Sequence, residues 1–272
     1  MEKRYTLPDG MRYSTLRERK MFYSQEFDID NVFSWIAKHR NPMKTVFAVV
    51  IGRHTGIFPK RFEKFTKAPV LVDEYGGPGD VWKQIGAFLP EGVYYDRNIY
   101  RDLRVCAKCK KRYENCWGCP GFSGQELAFD IDPENIPCPK CGTLAEKMGR
   151  GQGLGFCEHE LRVAKEQARK LSGELRKRFG RTEVVYSGRG YHVHVFDRNA
   201  ETLSIQERSE LAREMKNRGY YIDSWITEGS SRLIRLPYSL HGMVSRVVFP
   251  VKNSEMPAFD PVKDPRCRPK FL

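Results

Sequence analysis

The chain has 272 residues, 40% of them hydrophobic and 12% aromatic, enough to pack the interior of one sizeable domain. Lys and Arg number 47 against 34 Asp and Glu, a formal net charge of +13 spread along the chain, which suits a folded surface that meets phosphate backbones. No apolar run approaches the roughly 18 residues of a membrane span, and the start, MEKRYTLPDG, has no apolar signal segment, so a cytoplasmic protein without a membrane partner is expected.

Residues 14–39 read as helical segments around a short break, and 45–51 (TVFAVVI) as a buried strand. The stretch from Gly52 to Gly79 is basic and turn-rich and receives no assignment. Residues 93–100 (VYYDRNIY) read as a strand, 104–124 as a Cys-rich insertion, and 126–132 (ELAFDID) as a further strand. A second cysteine-containing excursion, 137–160, leads into a helix at 159–179. Its apolar positions Leu161, Ala164, Ala168, Leu171, Leu175 and Phe179 follow the i, i+3, i+4, i+7 pattern, and Gly180 closes it. Strands at 183–186 and 191–196 flank a Gly-rich turn, and a helix at 205–217 precedes strands at 220–227, 232–236 and 245–251. The expected fold class is α+β, one domain over 1–272 with mixed or antiparallel sheets and two inserted knuckles.

In ELAFDID, strand alternation sends Leu127, Phe129 and Ile131 one way and Asp130 and Asp132 the other, about 7 Å apart. Carboxylates so spaced bridge two divalent cations, and hard Mg²⁺ or Mn²⁺ suits oxygen ligands, although a solvated strand end shows the same pair. In Tyr186-Ser187-Gly188-Arg189-Gly190-Tyr191-His192, two glycines turn the chain tightly. They bring a hydroxyl, a guanidinium and an imidazole to one spot, which suits a triphosphate or marks an ordinary hairpin. His194 shares the strand face of His192 and is read as structural. Asp223 sits among aromatic and aliphatic neighbours, where a carboxylate is costly unless paired, metal-bound or at a wet strand edge. Arg235 and His241, in RLIRLPYSLH, suit phosphates, whether of a nucleotide or of a nucleic-acid strand.

Of eight cysteines, seven lie between Cys106 and Cys157. Cys106, Cys109, Cys116 and Cys119 form two CxxC knuckles, the pattern of a structural Zn²⁺ site, with disulfides the alternative in a hyperthermophile. Lys108, Lys110, Lys111 and Arg112, with Tyr113 and Trp117, surround this knuckle and suit either template guidance or a solvated rim. Cys138, Cys141, Cys157 and His159 offer ligands for a second Zn²⁺, and Cys267 stands alone.

The segments RERKMFYSQEF, ELAFDID, VVYSGRGYHVHVFD, the isolated Asp223, and RLIRLPYSLHGMVSRVVFPV with its trailing FDP span most of the chain. Together they resemble the archaeo-eukaryotic primases, meaning the small catalytic subunit of archaeal and eukaryotic primase and its plasmid and viral primase–polymerase relatives. The resemblance implies that Asp130, Asp132 and Asp223 hold two catalytic Mg²⁺ or Mn²⁺ ions, and that Ser187, Arg189, His192, Arg235 and His241 contact the triphosphate. It also implies a Cys/His zinc knuckle between the Asp-x-Asp strand and the next helix, where Cys138 to His159 lie. The activity implied is template-directed nucleotidyl transfer by a DNA primase or polymerase, in the replication of an archaeon or its plasmid or virus. The partners implied are single-stranded DNA template and primer, NTPs or dNTPs, and a large primase subunit or fused helicase domain.

The short connection from the His192 strand to Asp223 points to a minimal core of the plasmid-encoded kind. Two other readings stay open: a gap-filling or end-joining polymerase of the same superfamily, and a non-catalytic zinc-containing nucleic-acid-binding module. The acidic trio speaks against the last, because carboxylates facing DNA phosphates bring a pure binder nothing.

Overall fold

The structure, a computed structural model, describes residues 5–109, 113 and 116–272. In chain order the helices are α1 (Leu16–Gln25), α2 (Ile29–Ala37), α3 (Pro78–Phe88), α4 (Leu103–Lys108), α5 (Leu144–Gly149), α6 (Glu158–Phe179), α7 (Arg198–Glu201), α8 (Ile205–Asn217) and α9 (Ser224–Thr227). The strands are β1 (Phe47–Val50), β2 (Val70–Val72), β3 (Gly92–Asp96), β4 (Asn98–Tyr100), β5 (Phe122–Gln125) and β6 (Leu127–Ile131), followed by β7 (Thr182–Tyr186), β8 (Tyr191–Val195), β9 (Leu233–Arg235), β10 (Leu240–His241), β11 (Arg246–Val247) and β12 (Phe249–Val251).

Helix starts follow local chemistry. Thr15 with Glu18 and Ser204 with Glu207 form reciprocal capping boxes at α1 and α8, and Asp28 caps α2 through the amide of Asn31. The last turn of α6 ends at Gly180, whose φ of +78° favours a residue without Cβ.

Two four-stranded sheets, β2-β1-β3-β9 and β12-β7-β8-β6, carry the architecture, and every named pairing among the described residues is antiparallel. One face of the second sheet, with Phe129, Ile131, Val184 and Val193, packs on the apolar stripe of α6 and on Leu211 and Met215 of α8. Its other face contributes Ala128 and Val185 to a second core shared with β1, β3, Trp35 and Ile234. Residues on that second face therefore open toward the cleft between the sheets. The expected α+β class with antiparallel sheets is what the chain forms.

Several expectations need correction. The strand expected at 93–100 breaks at Arg97, whose buried guanidinium donates to the carbonyls of Glu126, Ile226 and Ser231. The strand expected at 220–227 does not form. Asp223 makes a single antiparallel bridge to Asp130, and its carboxylate then accepts the Trp225 amide at 3.0 Å, starting α9. The strand expected at 245–251 is divided into β11 and β12. The unassigned basic stretch contains β2 and runs up to α3, a helix that escaped notice although Pro78 stands in its first turn and Leu89 closes it at a φ of +48°.

Candidate active site

Register sets the carboxylates. Asp130 on β6 lies opposite His192 on β8, with the imidazole Nε2 3.5 Å from the carboxylate Oδ1. On the other edge of β6, the Asp223 amide donates to the Asp130 carbonyl at 2.8 Å, so the third carboxylate joins the first through the backbone. Asp132 follows the strand and carries a partly exposed side chain. Burial raises the Asp130 acid well above the ordinary range, and the neighbouring Asp132, Asp223 and Glu134 charges add to it. Burial and Asp132 also raise Asp223. The Asp130 Oδ1 is buried with no hydrogen-bond partner. The ligand oxygens of Asp130, Asp132 and Asp223 do not all lie within 4.8 Å of one another. They are hard oxygen donors, one of them buried and orphaned, of the kind that suits a divalent cation such as Mg²⁺ or Mn²⁺, which would draw them together and relieve both costs.

Opposite stand the nitrogen donors. The hairpin between β7 and β8 is held by Ser187, whose amide donates to the Gly190 carbonyl at 2.9 Å and whose hydroxyl accepts the Gly190 amide at 3.0 Å. A Cβ on Gly188 would run into His241, and one on Gly190 into the Ile131 carbonyl, so only glycine lets the hairpin lie against the carboxylate strand.

The cleft, about 250 Å³, is lined by Asp130, Asp132, Ser187, Arg189, His192, Arg235 and His241. Arg235 leaves β9 with its guanidinium 4.6 Å from the centroid of the Tyr94 ring and one nitrogen donating to the Tyr94 hydroxyl at 2.6 Å. Its other terminal nitrogen is buried without a partner, as are the Nδ1 atoms of His192 and His241. Burial, with the nearby His194 and Arg235, depresses His192 well below the usual histidine range. Burial with Arg235 and Arg189 does the same to His241, so both rings are neutral hydrogen-bonding groups at neutral pH.

Arg189 does not reach freely into the cleft. Its guanidinium is paired with the buried Glu134 and lies 3.5 Å from Asp132, with a further bond of 3.2 Å to the Leu154 carbonyl. Glu134, pushed to about 7 chiefly by burial, is a site residue that the sequence reading missed. Tyr94 and His54 are others that line the cleft. Tyr94 was detectable in principle, because the strand alternation that buries Val93 and Tyr95 points it the other way. His194 turns inward, its Nδ1 donating to the Glu126 carboxylate at 2.6 Å, where Tyr95 and Arg40 also converge.

Of the two cysteine sets, the second assembles. Ligand atoms of Cys138, Cys141, Cys157 and Glu160 lie within 4.8 Å of one another, and this is the one such group among the described residues. His159 is exposed and sits 3.2 Å from Arg162 instead. Glu160 takes the place expected for it because it occupies the third position of α6 and reaches back to the Cys157 amide at 2.8 Å. That Cys-x-x-Glu capping spacing was visible in the sequence. Glu160 is also ion-paired with Lys147, which donates to the Glu134 carbonyl at 3.2 Å and so braces the segment following Asp132.

Cys106, Cys109, Cys116 and Cys119 are free thiols that do not form a comparably tight group. They are neighbours all the same. Cys116 is pushed to about 11 by burial, by Asp96 and by the Cys106 and Cys119 thiols. Lys110, Lys111 and Arg112 lie outside the described residues. Tyr113 is buried, packs against Tyr100 and donates to Asp73 at 3.0 Å, so it presents no free ring to a nucleic acid. Trp117 packs on Phe122 and under Arg208.

Fold and site together define a class: an α+β protein in which an acidic, metal-fitting cluster faces a basic, phosphate-sized cleft between two antiparallel sheets. No family model matches the chain. It is 50% identical over 258 residues to an uncharacterized DNA primase small subunit-like protein of Archaeoglobus fulgidus, covering 95% of this chain and 91% of that one. It is 40% identical over 202 residues to the DNA primase small subunit PriS of Thermococcus onnurineus, covering 74% of this chain and 49% of that one. A solved polymerase domain from Mycobacterium tuberculosis Ligase D in complex with DNA aligns at a TM-score of 0.44 and 16% identity, over 95% of this chain and 91% of that one. The chain belongs to the family of DNA primase small subunit-like proteins, the superfamily that its motifs indicated. It spans about half the length of the PriS relative.

Proposed function

We propose that this chain is a template-directed nucleotidyl transferase, a DNA primase or primase–polymerase acting on single-stranded DNA with NTPs or dNTPs. The observation that carries the reading is the cleft in which Asp130 and Asp132 face Arg235, His192 and His241. Asp130, Asp132 and Asp223 would hold two Mg²⁺ or Mn²⁺ ions, whose chemistry is to acidify an attacking 3′-hydroxyl and to neutralise the departing pyrophosphate. Arg235 and the neutral His192 and His241 rings, which line the cleft, would donate to triphosphate oxygens. Arg189, held by Glu134 and Asp132, orients the carboxylates and lends the site positive charge rather than gripping phosphate with a free fork. The thiols of Cys138, Cys141 and Cys157 with Glu160 suit a structural Zn²⁺ that stiffens the segment after Asp132. A large primase subunit, as its family name suggests, is the protein partner in this reading.

The test is incorporation of labelled NTPs and dNTPs on unprimed and primed single-stranded templates, with Mg²⁺ or Mn²⁺ and with chelator. Templated incorporation that needs the metal and disappears in Asp130→Asn supports the reading. Extension of primers with no synthesis on bare template would move it to a gap-filling polymerase. Strand binding with no incorporation on either template would overturn it in favour of a binding module.

A further inference from the structure

Two large aromatic side chains beside the acidic cluster are left in solvent. Trp225 is 68% exposed and Tyr221 is 40% exposed, in a segment whose alternate residues Tyr220, Ile222 and Ile226 are buried. Asp223 stands between them. Tyr221 precedes it by two residues with the buried Ile222 between them, and the Trp225 amide is fixed to the Asp223 carboxylate at 3.0 Å. The Trp225 carbonyl accepts the Ser231 amide at 3.1 Å, and Ile226 and Ser231 line the cleft. The exposed rings are thus continuous with the wall of the site. Isolated apolar residues on a surface are ordinary, but a tryptophan this bare, anchored at both backbone ends beside a metal-fitting carboxylate, is an open π-face held in a defined place. The nearby ammonium of Lys216, 3.0 Å from the Ser224 hydroxyl, is suited to phosphate, and the chain as a whole carries a net charge of +13.

We infer that Trp225, with Tyr221 beside it, is a stacking platform for an unpaired base of a single nucleic-acid strand entering the site. The inference rests on the transferase reading for the identity of the strand. Its chemistry is that of sequence-tolerant single-strand binding, in which an aromatic face stacks a base while cations follow the backbone. In this arrangement Trp225 is a positioning residue. It holds the strand so that the reacting end meets the Asp223 carboxylate.

The experiment is titration of the whole chain with oligothymidylate, reading both intrinsic tryptophan fluorescence and the anisotropy of a labelled oligonucleotide. Trp35 is buried, while Trp82 and Trp117 are partly buried, so the quenching that belongs to Trp225 is the difference between wild type and Trp225→Ala. The wild type should be quenched. Trp225→Ala should lose most of the quenching and bind the strand at least about fivefold more weakly, while Trp225→Phe, which keeps a ring, should restore most of the affinity. Nucleotide KM should be unchanged in Trp225→Ala and the thermal melt should match the wild type. Strand affinity of Trp225→Ala equal to wild type would overturn the proposal, and so would Trp225→Phe binding as weakly as Trp225→Ala. Quenching of the wild type without incorporation of nucleotides would overturn the transferase reading and leave the platform standing. Incorporation with an unaffected Trp225→Ala would do the reverse.

Discussion

The backbone amide of Asp223 donates to the carbonyl of Asp130 at 2.8 Å, joining two carboxylates that are far apart in sequence through main chain rather than through their charged ends. The carboxylates are therefore held together by the fold, and burial, with the repulsion of Asp132, Asp223 and Glu134 added to it, raises the Asp130 acid well above its ordinary value. Removing either charge should leave the bridge in place.

From this it follows that Asp130→Asn and Asp223→Asn fold normally, with thermal midpoints in chelator equal to or above the wild type. Nucleotide incorporation should fall at least about a hundredfold in each. Mg²⁺ or Mn²⁺ should raise the wild-type melting temperature by mass action and should raise that of Asp130→Asn much less. A metal-dependent shift of equal size in wild type and variant, read by scanning fluorimetry, would take the ion away from Asp130.

Arg235 lines the cleft, donates one guanidinium nitrogen to Tyr94 and keeps another buried without a partner. Arg235→Ala should raise the nucleotide KM by roughly tenfold or more, the scale of a charge-assisted hydrogen bond, with strand affinity unchanged. Arg235→Lys should not restore it, because a point charge cannot both stack on Tyr94 and reach phosphate. Steady-state kinetics alongside anisotropy separates the two effects, and a loss confined to strand affinity would move Arg235 to the template path.

Glu126 is the hub of a buried network that includes Arg40, Tyr95 and His194. Burial alone would raise its acid, but Arg40 and the His194 bond outweigh that and hold it at about 2. A folded-state value below the unfolded value of about 4.3 means that its ionised form stabilises the protein at neutral pH. That stability should be lost as pH falls from about 4 toward 2. Glu126→Gln should cost about 3–5 kcal/mol at neutral pH, since it strands buried guanidinium groups. The gap from wild type should shrink in acid, as urea unfolding at several pH values would show. A pH-independent gap would mean that packing, not charge, is what the variant removes.

The metal content of the cysteine sets separates them. Cys157→Ala should lose one Zn²⁺ per chain and lower the melting temperature, because the thiols of Cys138 and Cys141 and the Glu160 carboxylate would be left without the ion that draws them together. His159→Ala should keep that Zn²⁺, its ring being exposed and turned to Arg162. Loss of zinc in His159→Ala, measured by elemental analysis, would overturn the Glu160 assignment. Cys109→Ser tests the first set independently: a drop of one further Zn²⁺ would show that its knuckle also holds metal.

What lies close along the chain was legible. The period-2 alternation of ELAFDID put Asp130 and Asp132 on one side of a strand, the i, i+3, i+4 stripe located α6, and Gly188 and Gly190 marked a turn that no other residue could make. These features depend on backbone geometry that each residue imposes on its neighbours. The order of motifs gave the family on the same footing. What the sequence could not decide was where each charged end would go once distant segments met. Asp223 was expected within a strand, yet it became one bridge and a helix cap, because its carboxylate accepts the Trp225 amide. Arg189 lines the cleft, and the sequence did not show that its guanidinium would also be held by Glu134, a residue with no signal of its own. His159 and Glu160 are adjacent in sequence, and the phase of α6, set by its cap, faces only the second toward the thiols. Hydrophobic periodicity is a sum over many residues and survives local error, whereas the partner of a single buried charge depends on packing from segments the chain brings together only in three dimensions.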